Sequence, residues 1–224
     1  MTATVHLYVF DGYADWEPAF AIAGIADPRF QREPGAWQVK TVASQVDRPI
    51  RSMGGVTVLA DLALDELLPS ASALLIVPGG AGWELTAGTP ADDEPHRACI
   101  ARARAWLEAG VPVAAICGAT AGLARAGILD QRPHTSNALA YLKGTGYAGS
   151  AHYVDQPAVG DGDLITAGGM APVEFAREIF ARLDLYDAAA LDAWYQLYKT
   201  GESRWFARLA QAGGEGPGSS DESR

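Results

Sequence analysis

The sequence is poor in cysteine: Cys99 and Cys117 are the only two among 224 residues. A secreted disulfide scaffold needs more, at regular spacing, so two thiols in an acidic chain suit a reducing cytoplasm. Positive charge is also scarce. Lys and Arg total 17 against 27 Asp and Glu, a net charge of −10, and such a chain repels nucleic-acid backbones and anionic lipid surfaces. The cluster Arg97, Arg102 and Arg104 falls on one predicted helix and reads as a solvated face. No apolar run is long enough to span a membrane, and MTATVHLYVFDG lacks the basic segment of a signal peptide. No Pro/Gly/Ser-rich linker divides the middle of the chain. Neither a metal nor a cofactor is expected. These absences leave one cytoplasmic domain with a core of ordinary size, 49% of its residues being hydrophobic.

What is present is an alternation of strands and helices. Val5 to Phe10 reads as a buried strand, stopped by Asp11-Gly12. Trp16 to Ala26 reads as a helix with Asp15 as N-cap. Trp37 to Ala43 is a strand, and residues 50 to 60, with Met53-Gly54-Gly55, suggest a hairpin or irregular strand pair. Ala73 to Val77 is a buried strand ended by Pro78-Gly79-Gly80. Pro95 to Ala109 is a helix closed by Gly110. Val111 to Ile116 is a strand, followed at once by Cys117 and a small-residue helix from Ala119 to Ala126. Asn137 to Leu142 makes a helical turn or two, Leu164 to Ala167 a strand, and Pro172 to Leu183 an amphipathic helix. Tyr186 to Lys199 and Arg204 to Gln211 are further helices. This order favours a mostly parallel sheet with helices on both faces, ligands sitting beyond the carboxyl ends of the strands. Residues 1–212 form the expected single domain, with a helical extension from about 186. The tail 213–224 (GGEGPGSSDESR) lacks apolar residues and is expected to be disordered.

The stretch PVAAICGATAGLARAGIL carries the most chemistry. A strand ends at Ile116, one residue turns the chain, and a helix of small residues begins, which is the geometry of a nucleophile elbow. A helix N-terminus offers free N–H groups and a positive dipole end, so a low-pKa thiol is expected at Cys117. The Gly118 N–H then points at an oxyanion, and the Gly80 N–H, one strand–helix unit earlier, is a second donor. Cys99, on a helix with helical periodicity, reads as core. Glu17 follows the first strand, whose loop opens on the same end of the sheet. As a carboxylate it raises the thiol pKa, whereas a protonated Glu17 donates to the sulfur and acts as general acid. His134 in QRPHTSNAL is the first candidate base and His152 the second, with Asp15 or Asn137 available to orient it. His6 reads as core or edge, and His96 as the start of a surface helix.

These residues resemble the ThiJ/PfpI family of the class I glutamine amidotransferase-like superfamily. The resemblance runs from Val5 to about Leu185. It rests on Glu17, LLIVPGG (Leu74 to Gly80), AICGATAGLARAGIL (Ala115 to Leu129) and HTSN (His134 to Asn137), the last two being similar to a bacterial branch described as amidotransferase-like or as intracellular peptidases. It implies a flavodoxin-like three-layer sandwich, commonly a homodimer, with a reactive cysteine at the elbow. It also implies that the glutamate matching Glu17 contacts that sulfur, and that the amides of Gly80 and Gly118 form the oxyanion site. Members include glyoxalases, proposed deglycases, isocyanide hydratases, peptidases and stress proteins. Two departures narrow the list. The peptidase-like members carry His directly after the cysteine, where this chain has Gly118. True amidotransferases carry a late His-x-Glu pair, and none occurs here.

The expectation is a cysteine-nucleophile hydrolase or a glyoxalase/deglycase-like enzyme acting on a small carbonyl or amide compound, with Cys117, Glu17 and His134 as catalytic residues. The alternatives are a non-enzymatic redox sensor using the same oxidisable cysteine and a catalytically dead domain working through dimerisation. The aromatics Trp194, Tyr195, Tyr198, Trp205 and Phe206 of the C-terminal segment read as core packing before a dimer surface.

Overall fold

The computed structural model describes residues 2–84 and 95–213. Its centre is a seven-stranded sheet built from β1 (Ala3–Tyr8), β2 (Trp37–Ala43), β5 (Leu62–Ala63), β6 (Leu74–Val77), β7 (Val113–Ile116), β8 (Ala158–Asp161) and β9 (Leu164–Ala167). The order across the sheet is β5-β2-β1-β6-β7-β9-β8. Every pairing is parallel except that of β8 with β9. A separate antiparallel pair, β3 (Ile50–Arg51) and β4 (Thr57–Val58), stands where a hairpin or irregular strand pair was expected over residues 50 to 60.

Strand period explains the two cores. Successive side chains of a strand point to opposite faces. Leu74 and Ile76 of β6, with Ala114 and Ile116 of β7, face one cluster, where they meet Ile25 of α1 (Trp16–Ala26), Phe175, Ile179 and Phe180 of α5 (Pro172–Leu183) and Trp194 of α6 (Ala188–Thr200). Leu75, Val77, Val113 and Ala115 face the other, against Cys99, Ala103 and Trp106 of α2 (Arg97–Glu108) and Leu123 of α3 (Gly118–Arg125). With both faces covered, the central strands read as unbroken apolar runs. This is the flavodoxin-like sandwich that the sequence implied.

Some local expectations give way to tertiary contacts. Asp15 does not cap α1: its backbone is already helical, and its carboxylate accepts instead from Ser52 Oγ at 2.6 Å. His96 is not on a surface helix. It is buried, with Tyr8 Oη 3.2 Å from Nδ1 and the Ala81 carbonyl 2.9 Å from Nε2. Beyond α5, Trp194 joins the core, while Tyr198 and Phe206, the latter on α7 (Arg204–Ala212), keep half their surface. Residues 214–224, most of the tail expected to be disordered, lie outside the described residues. No helix among the described residues is long and apolar enough to cross a membrane.

The topology places the site. From β1 the chain winds outward to β2 and β5, then crosses to β6 and continues the other way. The strand order therefore reverses between β1 and β6, and such a switch point opens a crevice at the carboxyl ends of the strands. The first residues after β1, β6, β7 and β9 all lie there.

Candidate active site

Cys117 occupies the single-residue turn between β7 and α3, with φ 58° and ψ −124°. Positive φ at a non-glycine residue costs on the order of 1–3 kcal/mol and persists only where its surroundings over-determine it. Here the Cys117 N–H donates to the Ala167 carbonyl of β9 at 2.9 Å. Its own carbonyl accepts from the Thr120 N–H at 3.1 Å and from Thr120 Oγ1 at 2.6 Å. The glycine after it has a packing reason. A Cβ on Gly118 would stand 2.7 Å from the Trp83 side chain, and one on Gly122, a turn later, 2.5 Å from the same indole. Trp83 is buried there, its Nε1 donating to the Pro78 carbonyl at 3.1 Å.

Glu17, in the first turn of α1, is 1% exposed. Its Oε2 accepts from the Gly79 N–H at 2.6 Å. Its Oε1 is buried without a hydrogen bond among the described residues and faces the sulfur. A Cβ on Gly169 would lie 2.8 Å from Cys117 Sγ and 3.1 Å from Glu17 Oε1, and one on Gly79 would lie 2.7 Å from Cys117 Cβ and 2.9 Å from Glu17 Oε2. The thiol and the acid are thus clamped between two bare backbone segments. Gly80 has φ 132° and pairs with Tyr13. The two bonds of that pairing run from Ala14 N to Gly79 O and from Ala81 N to Gly12 O, leaving the Gly80 N–H out of it.

Burial pushes the Glu17 carboxyl up to about 7, against the neighbouring Cys117 thiol and the Gly79 N–H, which favour its charge. Burial, and after it the charge of Glu17, pushes the Cys117 thiol up to about 11, while Asn137 and the Gly118 N–H pull it down. The expected low-pKa thiol is therefore corrected: one helix terminus does not outweigh burial and an adjacent acid. The two groups titrate as a pair that holds a single proton between about 7 and about 11. With that proton on Glu17, the repulsion on the sulfur is gone.

His134 is placed elsewhere. It is buried, with Nδ1 2.7 Å from the Arg132 carbonyl and Nε2 3.3 Å from Tyr147 Oη. The rings of Tyr147 and Tyr153 pack edge-on against it. Burial pushes its pKa down, so it stays neutral at neutral pH. None of these contacts reaches Cys117. The physical reason is local: His134 pairs with Tyr153 and its ring packs against Tyr147 and Tyr153, whereas the chain bends at Asn137, three residues on. His134 turns away and Asn137 turns in. The Asn137 Nδ2 donates to Cys117 Sγ at 3.5 Å, and its Oδ1 accepts from the Gly169 N–H at 2.8 Å. His152 is exposed, and its carbonyl accepts from the His134 N–H at 3.3 Å. Asp15, held by Ser52, orients neither histidine.

A cavity of about 300 Å³ opens above the sulfur, lined by Trp16, Glu17, Cys117, Asn137, Gly168, Gly169 and Met170. Its rim is apolar: Met170 is 97% exposed and Trp16 about half exposed. Asn137, Gly169, Trp16 and Met170 were not singled out as cavity walls from sequence. The available signal was repetition, since Gly168-Gly169 closes β9 as Gly79-Gly80 closes β6.

The model of the DJ-1/PfpI family matches residues 3–182. The chain belongs to the DJ-1/PfpI family. Among members of that family, it is similar to the protein named uncharacterized protease YoaZ of Bacillus subtilis, at 37% identity over 211 residues, 93% of this chain and 96% of that protein. It is similar to the deglycase TK1284 of Thermococcus kodakarensis at 30% identity, over 56% of this chain and 70% of that protein. The crystal structure of a thiJ/pfpI family protein from Bacillus anthracis superposes with a TM-score of 0.84 at 38% identity, covering 95% of this chain and 97% of the other. DJ-1/PfpI membership covers the sheet and every loop that meets at Cys117, while α6 and α7 lie beyond the matched residues.

Proposed function

We propose that this DJ-1/PfpI protein is a cysteine-dependent enzyme acting on a small carbonyl compound, with Cys117 as nucleophile and Glu17 as the group that moves the proton. The observation that carries the reading is a sulfur and a buried, unpartnered carboxylate oxygen side by side on the floor of one open cavity. The thiol proton passes to Glu17 Oε1. The sulfur lone pair then attacks the carbonyl carbon, a C–S bond forms, and the C=O π pair moves onto oxygen. The N–H groups of Gly80 and Gly118 stabilise that oxyanion, as donors aimed at developing charge do in a water-poor site. Glu17 then returns its proton to the oxygen, leaving a neutral thiohemiacetal still bonded to Cys117 and a carboxylate free to take up a proton in the step that breaks the C–S bond.

The cavity is at the small end of the range for ligand sites, which suits a small molecule better than a polypeptide. Trp83 fills the space in which a side chain at position 118 would stand, so the histidine of the peptidase-like members has no room. Relatives named protease and deglycase agree with a hydrolytic outcome. Profiling with methylglyoxal, other short aldehydes and small amides tests the reading. Cys117→Ala is expected to lower turnover of the accepted substrate about a thousandfold or more, as loss of a nucleophile does. Undiminished turnover in that variant would overturn the proposal.

A further inference from the structure

We infer that Asn137 is a catalytic residue of this site, its side-chain amide donating to the Cys117 sulfur and favouring its charged form. The inference deepens the cysteine-enzyme reading and rests on it for its significance, though not for its test.

The orientation of the amide follows from its neighbours. The Gly169 N–H donates to Oδ1 at 2.8 Å, so it is Nδ2 that turns to Sγ, 3.5 Å away and within the longer reach of sulfur. A flipped amide would set two donors, Nδ2 and the Gly169 N–H, against each other. A side-chain NH₂ can only donate, and donation to sulfur favours thiolate over thiol.

The other groups facing the sulfur leave this task to few candidates. From α1 comes Glu17, which opposes the thiolate when charged. From α3 comes the Gly118 N–H, which supports it. The segment after β6 contributes backbone, and the segment after β9 contributes Gly168, Gly169 and the apolar Met170. From α4 (Leu139–Lys143), Tyr141 lies within charge-interaction range of Cys117, but its hydroxyl donates to Glu84. No lysine, arginine or histidine is among the described residues lining the cavity. Asn137 is therefore the one side-chain donor on the sulfur among the described residues.

The strap that carries Asn137 is fastened residue by residue. Thr135 N–H donates to Thr166 Oγ1 at 2.9 Å, and Thr135 Oγ1 donates to the Gln156 carbonyl at 2.7 Å. Thr120 Oγ1 donates to the Cys117 carbonyl, so Ser136 Oγ, 2.6 Å away, is the donor to Thr120. Ser136 and Thr120 thereby join the strap to the nucleophile's own backbone and act as positioning residues.

The test is the pH dependence of iodoacetamide labelling at Cys117, followed by peptide mass mapping, which needs no turnover. Asn137→Ala is expected to move the labelling midpoint up by about one pH unit and to slow labelling at pH 7.5 about tenfold. Asn137→Asp, which removes a donor and adds an anion, slows it further. Ser136→Ala slows it less, and kcat falls in step with labelling in all three while KM stays within twofold. Unchanged far-ultraviolet circular dichroism and thermal midpoint confirm that each variant is folded. A midpoint and rate within twofold of wild type in folded Asn137→Ala would overturn the inference. Failure of the enzyme reading would show separately, as labelling that responds to Asn137 in a protein without turnover.

Discussion

Two cysteines sit in the same sandwich and differ in everything but chemistry. Cys99 lies on α2 in the core between helix and sheet, 0% exposed, with its thiol pushed far up by burial alone. Cys117 lies at the carboxyl end of the neighbouring layer, partly open, with an acid, an amide and a helix N–H on its sulfur. Burial raises both thiols, but only at Cys117 does the protein supply groups that offset it. Reactivity belongs to those groups rather than to the residue.

The largest expected difference is in labelling. With intact protein at pH 8, iodoacetamide should modify Cys117 about a thousandfold faster than Cys99, because Cys99 reacts only when the core opens. Equal rates by peptide mass mapping would erase the distinction. The next effect comes from Glu17, the group with no counterpart near Cys99. Its folded pKa of about 7 lies above the ordinary 4.5, so its protonated form adds stability that is fully present below pH 4.5 and lost as pH rises through 7. Wild type should therefore lose about 3 kcal/mol relative to Glu17→Gln between pH 4.5 and pH 8, measured by denaturant titration of both proteins. Parallel pH–stability curves would mean that the acid is not strained by burial. The smallest effect sharpens the boundary of the site. His134→Ala should lose about 1–3 kcal/mol of stability from its buried bonds, yet leave Cys117 labelling within threefold of wild type. A tenfold drop in labelling would put His134 back at the sulfur.

The legible parts of the sequence were those in which local pattern and tertiary role coincide. The run VAAI followed by Cys117 and small residues could be read directly as strand, turn and helix, because a buried parallel strand is apolar throughout and a tight elbow admits only small neighbours. The two-residue β5 and the edge strand β8, AVGD, went unread. They are short, and neighbouring strands rather than composition hold them in place. His134 was a reasonable candidate by residue type, and HTSN did bring a polar side chain to the sulfur, but which side chain of the strap meets it depends on the bridge of His134 to Tyr153 and the bend at Asn137. The charge state of the thiol was equally out of reach. It depends on how deeply Glu17 is buried and how closely Gly79 and Gly169 let the backbone approach.

By itself the sequence determined the alternation of strand and helix, the layered sheet, the elbow at Cys117 and the acid that follows the first strand. Periodicity, glycine placement and side-chain size act over a few residues and survive any change in distant contacts. Only the tertiary structure decided which polar side chain meets the sulfur, where its proton rests and how large the opening above it is. Those properties arise from distances between loops far apart in the chain, and a few ångströms of approach or a half-turn of a strand reverses them.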